Sequence, residues 1–215
     1  MARTTETLAH RLDASMQRTP RAEPWRWLAR PLLRLLADGQ PVTAAQVAAA
    51  TSRPVDEVAA ALRRLPSAEL DDRGRLVGMG LTLRPTPHRF VVDGRTLFTW
   101  CALDALAFPP VLGKPVGIAS PCPATGRRIR IDLTATGVQS VDPPEAVVSV
   151  AAIPDRLDDV RETHCLHGHF FSSAQAASAW HGEHPDGHVL SVSEAFDLGR
   201  RLTAEVLSIQ GEAAS

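Results

Sequence analysis

The sequence predicts an α+β protein in which an N-terminal helical, winged-helix-like part packs on a mixed α/β core with short strands. Two observations carry this prediction. Residues 4–66 repeat their apolar positions at helical spacing, whereas short β-rich runs separated by Pro, Gly and Asp follow from Gly80 onward. No stretch near residue 80 has the composition of a flexible linker, and we place the boundary between residues 1–80 and 81–215.

Four helices are predicted in the first part. Thr5 can cap the first, and Pro24 can begin a second that runs to Leu36. Thr43 and Pro54 each begin a further short helix. The last of these places apolar side chains on one face, namely Val55, Val58, Ala59 and Leu62.

A short hairpin is predicted after these helices, with strands at 69–70 and 75–77 around a turn at 71–74. Helix, turn, helix and hairpin in this order are typical of a winged helix, a fold that often reads DNA. Asp56 and Glu57 lie at the start of the would-be recognition helix, where groove insertion favours donors. We therefore expect no nucleic-acid partner.

The second part alternates short strands with three helices. Strands are predicted within 88–94, 114–120, 127–137 and 145–153. One helix is predicted at 97–108 and ended by Pro109-Pro110. Two closing helices are predicted near 173–182 and 192–208, the latter with Ser193 and Glu194 at its start.

Composition narrows the function classes. Lys and Arg number 23 against 24 Asp and Glu, which gives no electrostatic case for nucleic acid or membrane binding. The N-terminus lacks a signal-peptide pattern and no long apolar run occurs, so we expect a cytoplasmic protein with no membrane partner. Three cysteines cannot all pair within one chain, and free thiols are expected.

Cys101 and Asp104 are the first candidates for chemistry. Three residues apart within the predicted helix, they share the stripe formed with Leu97 and Phe108. An Asp on an apolar stripe is costly unless it is used or paired, and burial near a thiolate would raise its pKa into the range of a proton donor. A buried, inert Cys101 and a paired or solvated Asp104 remain open as alternatives.

Cys165 is the second candidate. In an extended segment, Cys165, His167 and His169 would share one side and could bind zinc or copper, although buried histidines explain the pattern equally well. Cys122 lies in the Pro-flanked loop SPCPATG, where a structural role is favoured. The remaining histidines of the segment WHGEHPDGH are expected at the solvated surface: His181, His184 and His188.

Several separated segments closely resemble the alkylmercury (organomercurial) lyases of bacterial mercury resistance, in the same order and at the same spacing. They are FTWCALDALAFP, SPCPATG, THCLHGHFF and SVSEAFDLGRR, with weaker likeness upstream in PLLRLLADGQPV and VGMGLTLRPTPHRF. The resemblance implies a lyase that cleaves the carbon–mercury bond, with catalytic residues at Cys101, Asp104 and Cys165 and a structural Cys122. One departure is Leu166, where the family often has a second cysteine.

This resemblance implies no intrinsic cofactor. Two thiolates are the ligands that soft mercury prefers, and Asp104 would carry a proton. Hg(II) would remain bound to the three residues as product, external small-molecule thiols would release it, and a mercuric reductase would receive it. Aromatic side chains could line a pocket for the organic group: Phe98, Trp100, Phe108 and Phe170. The alternatives are a metal-responsive winged-helix transcription regulator and a metal-storage or redox protein.

Overall fold

The computed structural model describes residues 2–20 and 23–208, so residues 209–215 of the predicted second part lie outside the described residues. The helices in the described ranges are α1 Ala2–Gln17, α2 Trp25–Leu36, α3 Ala44–Thr51, α4 Val55–Arg64, α5 Ala102–Leu112, α6 Val160–Thr163, α7 Ser178–Glu183 and α8 Val192–Ser208. The strands are β1 Glu69–Leu70, β2 Leu76–Met79, β3 Leu81–Thr82, β4 His88–Val92, β5 Arg95–Thr99, β6 Val116–Pro121, β7 Arg128–Leu133, β8 Val138–Asp142, β9 Val147–Val150, β10 Phe170–Phe171 and β11 His188–Ser191.

Three of the four N-terminal helices, α2, α3 and α4, begin directly after the residues predicted to start them. Pro24 and Pro54 directly precede α2 and α4. Thr43 forms a full capping box with α3, because its side chain accepts from the Gln46 N–H while Gln46 accepts from the Thr43 N–H. The start predicted at Thr5 is wrong, since α1 begins at Ala2 and Thr5 is buried within it.

The apolar face of α4 also differs from the prediction. Val55 is 47% exposed, whereas Val58, Ala61 and Leu62 are buried. Val55 is the first residue of the helix, where the chain has only just left the surface, and Ala61 replaces it on the buried side.

The hairpin is continuous with the main sheet. β1 and β2 pair as predicted, and Val42 adds a bridge to Leu76 of the kind that completes a winged helix. β2 then turns at Gly80 into β3, and all strands from β1 to β8 form one antiparallel sheet in the order β1-β2-β3-β5-β4-β6-β7-β8. The boundary near residue 80 therefore lies inside a sheet, and the two-domain division stays a prediction.

The helix predicted at 97–108 is displaced. Leu97 and Thr99 belong to β5 and pair with Phe90 and His88 of β4. α5 starts only at Ala102 and continues through Pro109 and Pro110 to Gly113, whose φ of 69° ends it. The two prolines remove N–H donors, but burial of Val111 and Leu112 beyond them offsets that loss.

Most other predicted elements are found, with changes at their ends. β4, β7 and β9 fall within predicted strand runs, and β6 ends one residue beyond its run. The elements that were not anticipated include β3, β8, β11 and α6. α8 is present, and Ser191 rather than Ser193 caps it, through reciprocal bonds with Glu194. A second sheet of order β10-β9-β11 lies beside α5 and α8, which pack so closely that Gly199 meets the backbone of Ala107.

Within residues 2–20 and 23–208, no helix has the length and apolar character needed to cross a bilayer.

Candidate functional site

Cys101, Asp104 and Cys165 converge in space although about sixty residues separate the two cysteines. One ligand atom from each, a sulfur or a carboxylate oxygen, lies within 4.8 Å of the other two. Both thiols are free and buried. In the part of the chain that the structure describes, this is the one cluster of three such side chains with metal-binding spacing.

Cys101 lies between β5 and α5 rather than inside a helix. It is the N-cap of α5, with extended backbone at φ −140°, and its sulfur accepts from the Asp104 N–H at 3.3 Å. This is the hydrogen bond that Ser or Thr makes at other helix starts. Asp104 therefore lies on the first turn of α5, beside the Cys101 sulfur that caps this helix.

Cys165 is held against Cys101 by a tight turn. The predicted strand is wrong here, because Cys165–His167 form one 3-10 turn closed by the Gly168 N–H bonded to the Cys165 carbonyl at 3.0 Å. The Gly168 carbonyl accepts from the Ala102 N–H at 3.1 Å, which ties this turn to the start of α5. A Cβ on Gly168 would lie 3.0 Å from the Cys101 Cβ, so glycine permits the close approach.

The electrostatics keep the thiols protonated and the carboxyl able to exchange a proton. The hydrogen bond to Cys165 and burial raise the pKa of Cys101 well above its ordinary value. The same hydrogen bond lowers the pKa of Cys165, but burial and the nearby Asp104 raise it more, so its net direction is also upward. Burial raises the pKa of Asp104 to about 6, against the lowering effect of its bonds with Cys101.

The three side chains open into an apolar cavity of about 180 Å³. Its walls come from both ends of the chain, and they include Leu12 on α1, Ala29 on α2, Val111 on α5 and Leu202 on α8. Of the four aromatic residues expected to line it, Trp100 and Phe108 do so. Phe98 lies on β5 and Phe170 packs in the second sheet against His88, so neither is part of the lining.

Sequence reasoning missed several residues of this site. Gly80 lines the cavity with φ 77°, and a Cβ there would lie 2.6 Å from the Phe108 ring. His164 is buried beside Cys165, and burial lowers its pKa. Arg161 lies on α6, four residues before Cys165, and its charge acts to lower the pKa of that thiol; the sequence carried no signal for it.

The histidines expected beside Cys165 diverge from it. The His167 ring lies 5.1 Å from the His184 ring, while His169 lies 6.1 Å from His88 on the other side. The Cys165–His167–His169 metal row is therefore not formed, because the segment is a turn rather than a strand. His184 also stacks on Trp180 and is only half-buried, whereas His181 is exposed.

Cys122 is apart from the cluster in its own loop. Its N–H bonds the Arg127 carbonyl and its carbonyl accepts from Gly126, each at 2.8 Å. Burial raises the pKa of its thiol, but hydrogen bonds from Thr125 and Ser172 lower it more, to about 7.

Two family models match adjacent ranges of the chain. The one described as "Alkylmercury lyase" matches residues 81–204, and the one described as "Helix-turn-helix domain of alkylmercury lyase" matches residues 7–80.

Similar curated proteins, all described as alkylmercury lyase, come from several bacteria. The protein of Staphylococcus epidermidis is 53% identical over 83% of this chain and 82% of its own length. That of Bacillus cereus is 48% identical over 91% and 89%, and that of Streptomyces lividans is 47% identical over 94% of each. The crystal structure of the mercury-bound form of MerB2 aligns with a TM-score of 0.76 at 25% identity, covering 93% of this chain and 98% of that one.

Proposed function

The chain belongs to the alkylmercury lyase family and cleaves the carbon–mercury bond of organomercurials, and from this premise we propose that Cys101, Cys165 and Asp104 perform the cleavage. The single observation that carries the assignment of residues is the meeting of two sulfurs and one carboxylate oxygen within 4.8 Å at an apolar cavity. The alternative of a transcription regulator is wrong, because the helix-turn-helix range matches a domain of alkylmercury lyases themselves.

Mercury is a soft ion, and thiolate is the protein ligand that suits it best. The crystal structure similar to this chain is of a mercury-bound protein, which supports the same use of the cluster here. The cavity beside the cluster suits the organic group, since its lining is almost wholly apolar.

Cys165 attacks first. Cys101 donates the hydrogen bond between the two sulfurs, which favours ionisation at Cys165 over Cys101. In a substrate R–Hg–X, where X is a small-molecule thiolate, the Cys165 sulfur bonds mercury and the Hg–X bond breaks. The thiol proton of Cys165 leaves with X as HX.

Cys101 adds next, and its proton passes to Asp104. Once the Cys165 sulfur has bonded mercury, the Cys101 thiol is free to donate to the adjacent Asp104 carboxylate, whose pKa of about 6 lets it accept and return a proton near neutral pH. With two sulfurs donating to mercury, the carbon becomes basic. Asp104 delivers its proton to that carbon as the C–Hg bond breaks, which releases R–H and leaves Hg(II) on Cys101 and Cys165 with Asp104 ionised.

Product release requires thiol exchange. Two external small-molecule thiols replace the two cysteine sulfurs on Hg(II) and return both cysteines to the thiol form. Because Hg(II) held by two buried thiolates dissociates slowly without such exchange, a mercuric reductase is the partner we propose for the released ion.

The test is methane release. Purified protein is incubated with methylmercury and excess thiol, and methane is measured by gas chromatography for wild type, Cys101→Ala, Cys165→Ala and Asp104→Ala, with Cys122→Ala as the matched control. We expect each of the three site variants to lose turnover and the control to keep it. Asp104→Ala should still bind mercury, since both thiols remain.

Full turnover in any of the three site variants would remove that residue from the proposed mechanism. Positioned proton transfer is typically worth about 10²–10⁴-fold in rate, so a fall of that size is expected for Asp104→Ala.

A further inference from the structure

Arg161 lies between the two segments that carry the thiols. It is on α6, four residues before Cys165, and its guanidinium lies over the Trp100 ring at 5.2 Å from the ring centroid. Trp100 directly precedes Cys101 and lines the cavity. Arg161 thus lies on the helical turn that leads to Cys165, and it contacts the residue that directly precedes Cys101.

Arg161 is itself anchored on the N-terminal hairpin. Its guanidinium donates to Glu69 on β1, whose side chain is only 4% exposed. The other carboxylate oxygen of Glu69 accepts from the Thr82 hydroxyl on β3. A Cβ at Gly78 would lie 2.0 Å from that oxygen, so a glycine on β2 provides the space in which Glu69 is buried.

A second contact joins the same two segments. The Ser67 hydroxyl, two residues before Glu69, donates to Asp159 at 3.4 Å, two residues before Arg161. Pro66, which precedes Ser67, lines the cavity. The segment from Pro66 to Glu69 therefore contacts the α6 segment at two points, one exposed and one part-buried.

Two hydrogen bonds hold the Cys165 turn on its C-terminal side, where the Gly168 carbonyl accepts from the Ala102 N–H and the His167 carbonyl accepts from the Ser149 hydroxyl, and Arg161 adds contacts on its N-terminal side. α6 is four residues long, the following 3-10 turn is three, and neither pairs with a sheet. An arginine is suited to hold such a segment, because its planar guanidinium can bond a carboxylate with its edge while its face covers an aromatic ring.

We propose that Arg161, anchored by Glu69, is a positioning residue that holds the Cys165 sulfur where it can bond the same mercury atom as Cys101. This inference rests on the proposed function of the two thiols. It also assigns the hairpin of the helix-turn-helix part a role in the reaction: Glu69 and Thr82 fix the arginine, and the arginine fixes the second thiol.

The test measures thiol placement separately from cleavage. Phenylarsine oxide, a trivalent arsenical that needs two thiols on one atom, is titrated into Arg161→Met, Arg161→Lys, Glu69→Gln and the double variant Glu69→Gln/Arg161→Met. Arg156→Met is the matched control, since Arg156 lies in the same loop and pairs with Asp158 at the surface. Methane release and the unfolding midpoint are recorded for each protein.

We expect Arg161→Met to weaken phenylarsine oxide binding and lower kcat by about 10–100-fold, the range for residues that orient metal ligands. Glu69→Gln should also lower both the affinity for phenylarsine oxide and kcat. Arg161→Lys should lower them less than Arg161→Met, because lysine keeps the ion pair with Glu69. The double variant should be no weaker than Arg161→Met, since both changes break one unit. Arg156→Met should match wild type.

The outcomes separate this proposal from the one on which it rests. Wild-type arsenical affinity in Arg161→Met, or losses that add in the double variant, overturns the positioning role and leaves the cleavage mechanism intact. Methane release that persists without Cys101 or Cys165 overturns the mechanism instead. If Arg161→Met is unfolded at assay temperature, Glu69→Gln and Arg161→Lys decide, and unchanged arsenical binding in both refutes the proposal.

Discussion

At the residue scale, burial of the Asp104 carboxyl costs stability near neutral pH. Its Oδ2 atom is buried with no hydrogen-bond partner among the described residues. Burial raises its pKa to about 6 from 3.8. An acid whose folded pKa is raised stabilises the fold below the unfolded pKa, and this contribution is lost as the pH rises through the folded value.

Asp104→Asn should therefore gain stability relative to wild type as the pH rises from 4 to 7. The pKa difference corresponds to about 2–3 kcal/mol, acquired between pH 4 and 6 and constant above. Urea unfolding of both proteins at several pH values measures this change. A difference that stays the same from pH 4 to 8 would show that Asp104 is not desolvated in the folded state.

Cys122 should matter for stability and not for cleavage. Because its pKa is lowered to about 7, the thiolate stabilises the fold, a contribution present above the unfolded pKa and lost as the pH falls through 7. Cys122→Ala should cost about 1–2 kcal/mol from the lost hydrogen bonds, more at pH 9 than at pH 6. Methane release per folded molecule should equal that of wild type, and a tenfold fall would place Cys122 in the reaction.

At the element scale, the sequence predicted which three side chains converge better than it predicted the elements that hold them. Cys101 and Asp104 were expected on one helical face, yet Cys101 is the N-cap of α5. Ser, Thr, Asp and Asn are the preferred N-cap residues, so a cysteine at this position does not predict a helix start. Leu97 was assigned to the helix, and its pairing with Phe90 on β4 places it in a strand instead. Pairing of this kind depends on distant residues.

The packing of α8 on α5 is set by Gly199, and a methyl group there should force the helices apart. A Cβ would lie 2.8 Å from the Cα of Ala107, so Gly199→Ala should cost about 1–3 kcal/mol despite the better helix propensity of alanine. Methane release should also fall, because Leu202 on α8 lines the cavity.

Gly182 provides the control within another helix. A Cβ there meets no atom within 4 Å, so Gly182→Ala should stabilise by roughly 0.5–1 kcal/mol. Thermal unfolding compares the two variants. Equal effects would mean that the α5–α8 contact has room for a side chain.

At the scale of the whole molecule, the cavity could not have been predicted from local pattern. Leu12 and Ala29 line it from α1 and α2, far along the chain from Cys101 and Cys165. Their apolar character predicted that they are buried, but helical periodicity does not predict which distant residues a buried face packs against. The resemblance to a known family predicted the three site residues, whereas only the tertiary structure shows which residues form the walls of the cavity.

The volume of the cavity should set which organic groups react well. At about 180 Å³ it is slightly larger than the roughly 150 Å³ cavity that accommodates benzene in an engineered protein. Ala29→Leu should narrow it and lower kcat/KM for phenylmercury by about tenfold, with a smaller effect on methylmercury. Val111→Ala, which enlarges the cavity, should shift the ratio of the two rates the opposite way. Equal changes for both substrates would mean that the organic group lies elsewhere.

The N-terminal helices and the remaining chain share one core, and they should unfold together. Buried residues form a continuous cluster from Leu8 to Leu198, and β1 to β8 make one sheet across residue 80. Two tryptophans lie on α2, and Trp100 and Trp180 lie beyond residue 80. Fluorescence of a variant that keeps only one of these pairs therefore reports on one part of the chain.

In urea, each such variant should show a fluorescence transition that coincides with its own far-UV circular dichroism transition, as two-state unfolding requires. Comparison within one variant removes the effect of the Trp→Phe changes on stability. An α2 signal lost at lower urea than the dichroism would mean that the helix-turn-helix part detaches first. The cavity walls from α1 and α2 and the Glu69–Arg161 ion pair would then be lost before the rest of the chain unfolds, and activity should disappear with that first transition.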